Sequence, residues 1–333
     1  MAEIAKYMNV DIANIAKIFG ISKDEITNVV GVDIPAGVPT PGDRGVFGGG
    51  TYSGFRNIID YITISTPSNA TNFGDLTVAR DVLAATSDGA YDRGVFGGGN
   101  PSGHTNLIDY ITISSTGDAA NFGDLYSSRS NLAATSNGTN DRGIFGGGSG
   151  AAENVIDYIT ISSIGDATDF GDLLTGRWYL SATSNGTSNR GVFGGGTTGS
   201  FSNIIDYVTI SSTSNSTNFG DLTVARDKLA ATSNGTTDRG VFGGGNPSGV
   251  TNTIDYITIS SAGDAANFGD LYSPRLGLAA TSNGINGRGI FGGGSGAAEN
   301  IIDYITIGST GNATDFGDLT VSGRWYLSAT SNA

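Results

Sequence analysis

Apolar and β-branched residues recur along the chain in short runs, separated by polar and glycine-rich turns. The strongest run, Asn57–Ser65, reads N-I-I-D-Y-I-T-I-S and has the residue types typical of a strand. Its apolar side chains fall on both sides of that strand, with Ile58 and Ile62 on one side and Ile59 and Tyr61 on the other. The pattern therefore predicts a strand that is covered on both faces.

Three shorter strand patterns accompany this run. They are Arg44–Gly48, which leads into a glycine triplet, Ala70–Leu76, and Leu83–Ser87, which precedes a turn at residues 88–89. No helical periodicity connects them, which excludes a helical solenoid. The glycine triplet predicts a crowded strand end near the axis of the fold, where a Cβ atom would collide. The pattern as a whole predicts four short strands in about 49 residues.

The four-strand pattern occurs six times, each time opening on an arginine followed by G-(V/I)-F-G-G-G. These arginines are Arg44, Arg93, Arg142, Arg190, Arg239 and Arg288. Their spacing of 48 or 49 residues is typical of a propeller blade. Copies one to three also recur as copies four to six at an offset of 146 residues. This second period predicts a pseudo-twofold axis, with any surface site present twice.

The two ends of the repeat array predict how the ring closes. The array begins with the second strand of the pattern at Arg44 and ends with a first strand at Leu327–Asn332. We therefore expect Leu327–Asn332 to complete the blade that contains 44–76, which removes two open sheet edges. The predicted fold is an all-β, six-bladed β-propeller of four-stranded blades over residues 41–333.

The repeat resembles the kelch family. Gly48–Gly50 stand at the glycines that end strand two in that family, Tyr61 at its strand-three tyrosine, and Phe73 with Leu76 at the aromatic and leucine of strand four. The usual strand-four tryptophan is phenylalanine in all six copies, and the third glycine is an addition. The resemblance covers about residues 41–333 and implies the fold, whereas kelch propellers serve many functions.

Residues 1–40 differ from the repeats. Ile12, Ile15 and Phe19 fall on one face of a predicted helix, and Ile26 lies in a second short helix that a capping box opens. A proline- and glycine-rich linker follows. Two short helices cannot form a stable core alone. We therefore expect this segment to be an anchor that docks onto a partner, a second copy of the chain or the propeller.

Composition excludes several classes of partner. The formal net charge is −14, whereas a nucleic-acid-binding surface needs a clustered basic face. The chain has no cysteine and one histidine, which leaves no thiolate or multi-histidine metal site. No signal peptide or long apolar run is present in the sequence. We expect no cofactor, no metal, no nucleic acid and no membrane insertion.

Two aspartates and two arginines recur in every copy. In the first copy they are Asp60 in I-D-Y, Asp75 in F-G-D-L, Arg44 and Arg80. An aspartate in a strand covered on both faces needs a partner, because burying a lone charge is costly. We predict that the Asp60 set pairs with one arginine set and joins strands or blades. The functional alternative is a ring of anion sites.

The loop between the second and third strands is the most variable part of the repeat. It carries Tyr52, Phe55 and Arg56 in the first copy, His104 in the second and Phe201 in the fourth. Loops on a rigid scaffold are common places for binding residues, and aromatic and arginine side chains are enriched at binding hot spots. These residues are candidates for a binding face.

The two tryptophans complete the candidate binding residues. Trp178 and Trp325 each precede a predicted first strand. Exposed, they would stack on sugar rings; buried, they would pack between blades.

Enzymatic chemistry has little support in the sequence. No serine-histidine triad, phosphate loop or G-x-S-x-G motif is present. Paired carboxylates can hydrolyse glycosidic bonds, but aspartates repeated six times provide no unique pair. The sequence predicts a non-enzymatic protein without catalytic residues, and a glycan hydrolase is the enzymatic alternative.

The near identity of the copies and the short helical leader resemble structural proteins of tailed bacteriophages such as cyanophages. The resemblance implies a virion appendage, used as a neck component, tail fibre or capsid decoration. Residues 1–40 would bind other virion proteins, and the propeller would face a glycan or protein of the host surface. The alternative is an intracellular, cytoplasmic kelch-like adaptor that recruits a protein partner.

Overall fold

The computed structural model describes residues 42–331, except for 89–90, 151–152, 187, 236, 285–286 and 297–298. The predicted helical segment 1–40, with the candidate anchoring residues Ile12, Ile15, Phe19 and Ile26, lies outside the described residues. The described residues form an all-β, six-bladed propeller and contain no helix.

Each blade is a four-stranded antiparallel sheet that extends from an innermost to an outermost strand. From inside to outside, blade 1 consists of β28 (Ser328–Ser331), β1 (Arg44–Gly48), β2 (Ile58–Thr63) and β3 (Thr71–Asp75). Blade 2 consists of β4 (Ala84–Asp88), β5 (Arg93–Gly97), β6 (Leu107–Thr112) and β7 (Ala120–Asp124). Blade 3 consists of β9 (Ala133–Thr135), β10 (Arg142–Gly146), β12 (Val155–Thr160) and β13 (Thr168–Asp172).

The second half of the ring repeats this arrangement. Blade 4 consists of β14 (Ser181–Thr183), β15 (Arg190–Gly194), β16 (Ile204–Thr209) and β17 (Thr217–Asp221). Blade 5 consists of β18 (Ala230–Ser233), β19 (Arg239–Gly243), β20 (Thr253–Thr258) and β21 (Ala266–Asp270). Blade 6 consists of β23 (Ala279–Ser282), β24 (Arg288–Gly292), β26 (Ile301–Thr306) and β27 (Thr314–Asp318).

Two short ribbons that the sequence pattern did not predict lie in the connections. One pairs β8 (Arg129–Ser130) with β11 (Ser149–Gly150), and the other pairs β22 (Arg275–Leu276) with β25 (Ser295–Gly296). They occupy equivalent places in the two halves, which is consistent with the 146-residue period of the sequence.

The chain terminus closes the ring as the sequence predicts. Strand β28 pairs antiparallel with β1, with Ser331 opposite Gly45 and Ser328 opposite Gly48. The preceding Leu327 is 5% exposed and packs in the core between blades 6 and 1. Blade 1 is therefore built from both ends of the repeat array.

The hydrophobic core lies between the blades. Val46, Ile59 and Phe73 of blade 1 pack against Phe96 and Ile111 of blade 2. Equivalent clusters fill the other five blade boundaries. Each sheet is thus covered on both sides, which explains why the third strand of every blade has apolar residues on both faces.

Buried ion pairs join neighbouring blades. Arg80 follows β3, and its backbone bonds to blade 1, where its N–H donates to Arg56 O at 3.0 Å. Its side chain enters blade 2, where Nη1 lies 2.8 Å from Asp109 Oδ2 and Nη2 donates to Phe96 O. The six pairs are Arg324–Asp60, Arg80–Asp109, Arg129–Asp157, Arg177–Asp206, Arg226–Asp255 and Arg275–Asp303. The predicted pairing of the Asp60 set is confirmed, and its partner is the Arg80 set.

Burial acts against the charged form of these pairs. It raises the pKa of Asp157 and lowers the pKa of Arg129, and in each case the charge of the partner opposes the shift. The guanidinium and carboxylate therefore depend on each other for stability.

The other arginine set joins blades by a different contact. The guanidinium of Arg44 stacks 4.4 Å from the centre of the Tyr61 ring in its own blade and donates to Ile113 O of blade 2 at 2.8 Å. The contact with the carbonyl of the next blade recurs from Arg93 to Arg288.

The glycine triplet allows close contact between blades. A Cβ atom on Gly97 would lie 2.6 Å from Phe145 Cε1 of the next blade. Gly98 has a φ of 66°, and a Cβ there would lie 2.7 Å from Arg129 O. The crowding is thus between neighbouring blades, and glycine is required for it.

We expect Gly97→Ala to destabilise the propeller by about 1–3 kcal/mol, because the Phe145 ring must move from a packed position. Chemical denaturation followed by tryptophan fluorescence measures the change. Gly117→Ala is the control, since a Cβ at Gly117 meets no atom within 4 Å. Equal stability of the two variants would contradict the packing argument.

The directions of the strands place the connections between them on two opposite faces of the propeller. One face carries the loops between second and third strands, such as 49–57, and the links between blades, such as 76–83. We name it the loop face. The opposite turn face carries the remaining turns, such as 64–70 and 136–141.

Candidate binding face

Exposed apolar side chains concentrate on the loop face. Among the described residues, nine of the large hydrophobic side chains that are exposed lie there and two lie on the turn face. The nine are Tyr52, Phe55, Val78, Tyr126, Leu174, Phe201, Val224, Val250 and Tyr272, and the two are Tyr91 and Ile164. Concentration on one face is unusual for scattered surface residues and is typical of an interaction surface.

The loop face also carries the cations that do not belong to the repeat. In the sequence of residues 41–333, these are Arg56 and Lys228. Both lie in connections on the loop face. Both cations that fall outside the repeat pattern are thus on the same face as most of the exposed apolar side chains.

Backbone pairing places a tryptophan and a phenylalanine on either side of Thr51 in blade 1. Thr51 pairs with Trp325 through two hydrogen bonds, Thr51 N to Trp325 O at 2.9 Å and Trp325 N to Thr51 O at 3.2 Å. Thr51 also forms a bridge with Phe55. The hairpin fixes two aromatic residues that lie 270 positions apart in the sequence.

Three further side chains lie at this place. Arg56 Nη2 donates to Tyr52 O at 2.9 Å, which attaches the guanidinium to the same loop. Tyr52 and Glu299 both border Gly323, where a Cβ atom would collide with the Tyr52 ring and lie 2.9 Å from Glu299 Oε2. We name this group cluster A; it consists of Tyr52, Phe55, Arg56, Glu299 and Trp325.

The opposite side of the ring repeats this construction. Thr197 pairs with Trp178 through bonds of 2.9 and 3.1 Å and forms a bridge with Phe201. Glu153 borders Gly176 with its Cβ and backbone atoms, whereas in cluster A the Glu299 carboxylate borders Gly323. We name this group cluster B; it consists of Glu153, Trp178 and Phe201. Thr198 and Ser202 take the places of Tyr52 and Arg56.

Six of the seven sequence-predicted binding residues thus fall into two clusters, and His104 stands apart. Its side chain is exposed, and Nδ1 lies 3.0 Å from Ser130 Oγ at the boundary of blades 2 and 3. Sequence reasoning missed Glu153 and Glu299. The repeated S-G-A-A-E-N segment was the available signal for both.

A closed ring of backbone hydrogen bonds surrounds the axis on the loop face. Each member donates its N–H to the carbonyl of the equivalent residue in the preceding blade, at 2.7–2.9 Å. All members have positive φ, between 49° and 64°. They are Val82, Asn131, Tyr179, Lys228, Gly277 and Tyr326, and we name them the axial ring. Asparagine and glycine suit this conformation, whereas valine, lysine and tyrosine adopt it at a cost.

Side chains of the axial ring meet over the channel. The Tyr179 and Tyr326 rings come from opposite blades, and their centres lie 5.7 Å apart. Lys228 Nζ lies 4.9 Å from the centre of the Tyr179 ring and 6.0 Å from that of Tyr326. A cavity of about 110 Å³ opens at this point, lined by the axial ring and by alanines of the innermost strands such as Ala85. The position varies between the six copies, but Tyr179 and Tyr326 are equivalent in the two halves, within the repeated segment G-R-W-Y-L-S-A-T. That repetition was the available signal for the tyrosine pair.

Two carboxylates beside the axial ring are buried. Asp81 and Asp227 are 8% and 5% exposed, and one oxygen of each has no hydrogen-bond partner among the described residues. Burial raises the pKa of Asp81 to about 6. Burial also raises the pKa of Asp227, although the charge of Lys228 opposes this shift.

We expect Asp81→Asn to raise the melting temperature at pH 8 by about 3 °C and to leave it nearly unchanged at pH 3.5. With a raised pKa in the folded state, Asp81 stabilises the protein below its ordinary value of 3.8, and this contribution is lost as the pH rises through about 6. Melting curves at the two pH values measure the effect. Asp124→Asn is the exposed control, and an equal rise in both variants would contradict the role of burial.

The described residues were also compared with the requirements of a metal site and of a membrane span. Within the part of the chain that is described, no group of three or more histidine, cysteine, aspartate or glutamate residues is placed to hold a metal ion. The same residues include no helix that is long and apolar enough to cross a bilayer. Comparison with protein-family models finds no match for this sequence, and neither does comparison with curated proteins.

Proposed function

We propose that this chain is a non-enzymatic binding protein that contacts its target through the loop face. The observation that carries the proposal is the concentration of exposed aromatic side chains on that face, where five of them lie: Tyr52, Phe55, Tyr126, Phe201 and Tyr272. Three of these, Tyr52, Phe55 and Phe201, belong to clusters A and B. Ion pairs and inter-blade cores make the scaffold beneath them rigid. A rigid scaffold lowers the entropic cost of binding.

The arrangement of ionisable groups also supports a binding role. The aspartate set at Asp60, the deepest set of carboxylates in the strands, is engaged in ion pairs between blades. A general acid or base must instead reach the reacting group of a substrate. We therefore assign these carboxylates to stability.

The biological setting that we propose is the virion of a tailed bacteriophage. Residues 1–40 would attach the chain to other virion proteins, and the kelch-like propeller would present its loop face to the host surface as part of a neck, tail fibre or capsid decoration. Support comes from the near identity of the six repeats and the distinct character of the first forty residues.

Immunogold electron microscopy of particles in the source lysate tests this setting, with an antibody raised against the full chain. We expect label at one defined position on intact particles. Unlabelled particles, with the antigen free in the lysate, would overturn the virion assignment and favour the intracellular adaptor.

A further inference from the structure

We propose that clusters A and B are carbohydrate sites, each of which takes one neutral pyranose unit of a polysaccharide, with cluster A as the stronger site. This proposal rests on the proposed function, since it names the ligand of the loop face. It follows from the side chains that the fold brings together at two opposite blade boundaries.

The chemistry of each cluster matches the two sides of a sugar ring. A pyranose presents C–H groups on its faces and hydroxyl groups around its edge. Phe55 and Phe201 are 37% and 39% exposed, which leaves flat apolar surface for the C–H groups. In cluster A the Glu299 carboxylate lies beside the tryptophan-bearing segment and provides an acceptor for hydroxyl groups. In cluster B the exposed Glu153 lies beside the equivalent segment through its Cβ and backbone atoms.

The aromatic residues are held before any ligand arrives. In both clusters a threonine, Thr51 or Thr197, exchanges backbone hydrogen bonds with the tryptophan, and hydrogen bonds of the neighbouring residues pair the same threonine with the phenylalanine. The loop therefore loses little conformational entropy on binding. Preorganisation matters for sugars, because water competes for every hydroxyl group.

The size and charge of the clusters disfavour other ligands. A stable protein interface covers roughly 800 Å² on each partner with a continuous apolar centre, whereas these aromatic groups are small and lie at separate blade boundaries. The net charge of −14 opposes a nucleic acid. Two small sites of similar construction suit a polymer with repeating units. Once one unit is bound, the effective concentration of the next unit at the second site is raised.

The two clusters differ at two positions, and this difference predicts which of them binds the sugar more tightly. Cluster A has the 42% exposed Tyr52 ring and the Arg56 guanidinium, where cluster B has Thr198 and Ser202. Tyr52 adds apolar contact area, and Arg56 adds charged donors for sugar oxygens. Cluster A therefore binds more tightly.

Affinity electrophoresis of the full chain tests the proposal, in native gels that contain dextran, hydroxyethylcellulose or galactomannan. We expect retardation by at least one of these neutral polysaccharides. Phe55→Ala should weaken binding about tenfold, and the matched Phe201→Ala change should weaken it less. The double variant Tyr52→Thr/Arg56→Ser gives cluster A the side chains that cluster B has at these two positions. Its affinity for the polysaccharide should lie between that of the wild type and that of Phe55→Ala.

Val250→Ala serves as a control for a general effect of the loop face, because Val250 is exposed there but belongs to neither cluster. Melting curves confirm that each variant is folded. No retardation in any of the three gels would overturn the proposal, and so would retardation that Phe55→Ala leaves unchanged.

A second measurement separates the failure of this inference from that of the proposed function. Labelled full chain is applied to intact host cells from the source culture before and after periodate oxidation, which cleaves vicinal diols of sugars. If Phe55→Ala weakens binding to the cells but periodate does not, the ligand is not a sugar, and the assignment of the loop face as the binding surface stands. Binding that no loop-face variant alters would refute both.

Discussion

Removal of residues 325–333 is expected to lower the melting temperature by at least about 10 °C or to abolish cooperative unfolding. The deletion removes β28, leaves β1 without its inner partner and exposes the core that Leu327 covers. A buried leucine contributes about 2 kcal/mol, each backbone hydrogen bond about 1 kcal/mol, and a typical domain has only about 5–15 kcal/mol in total. Differential scanning calorimetry measures the loss.

A rescue variant shows whether ring closure is the cause. Insertion of residues 325–333 between Thr40 and Pro41 of the truncated chain places the same strand before β1. Five residues then separate Ser331 from Arg44, the same number that separates Ser87 from Arg93 in blade 2. We expect most of the lost stability to return, whereas unchanged melting after the deletion itself would contradict the closed ring.

The second large effect concerns the ion pairs between blades. Asp109→Ala is expected to destabilise the protein by about 3–5 kcal/mol, since it leaves the Arg80 guanidinium buried without its counter-charge. Asp109 also accepts bonds from the Thr77 hydroxyl and backbone N–H at 2.6 and 3.3 Å, so that three donors lose their acceptor. Urea denaturation measures the change.

Two further variants isolate the pairwise interaction. The double variant Arg80→Ala/Asp109→Ala should lose less unfolding free energy than the two single variants together, by at least about 1 kcal/mol, because the two side chains stabilise the protein as a pair. Asp124→Ala is the matched control, as Asp124 is a repeated aspartate of the same blade on the exposed outer strand. We expect it to change stability by no more than about 0.5 kcal/mol. A comparable loss in both single aspartate variants would contradict the argument from burial.

Much of the fold could be predicted because it depends on local pattern and repetition. The strand Arg44–Gly48 has the predicted bounds, and the third strand of the pattern differs by one or two residues at each end. Closure by the terminus also followed from the sequence, since the array starts with a second strand and ends with a first one. The aspartate set at Asp60 needed a buried partner, but two arginine sets were available, and only the path of the link through Arg80 decided between them.

The candidate site was less predictable. Tyr52, Phe55 and Arg56 were recognised as loop residues, yet nothing local connected them with Trp325 or Glu299. Their proximity requires the ring to close, since blade 6 must become a neighbour of blade 1. The contact between Tyr179 and Tyr326 is more distant still, because these rings come from opposite blades and meet only at the axis.

The sequence by itself determined the number of blades, the strands within each blade, the closing strand and the equivalence of the two halves. These properties follow from short runs of residues that are apolar on both strand faces and from a repeat that cannot cover its own faces alone. The tertiary structure alone decided which arginines enter the next blade, which loops share a face and which aromatic side chains meet. Those contacts join residues far apart in the chain, and their distances depend on the curvature and closure of the whole ring.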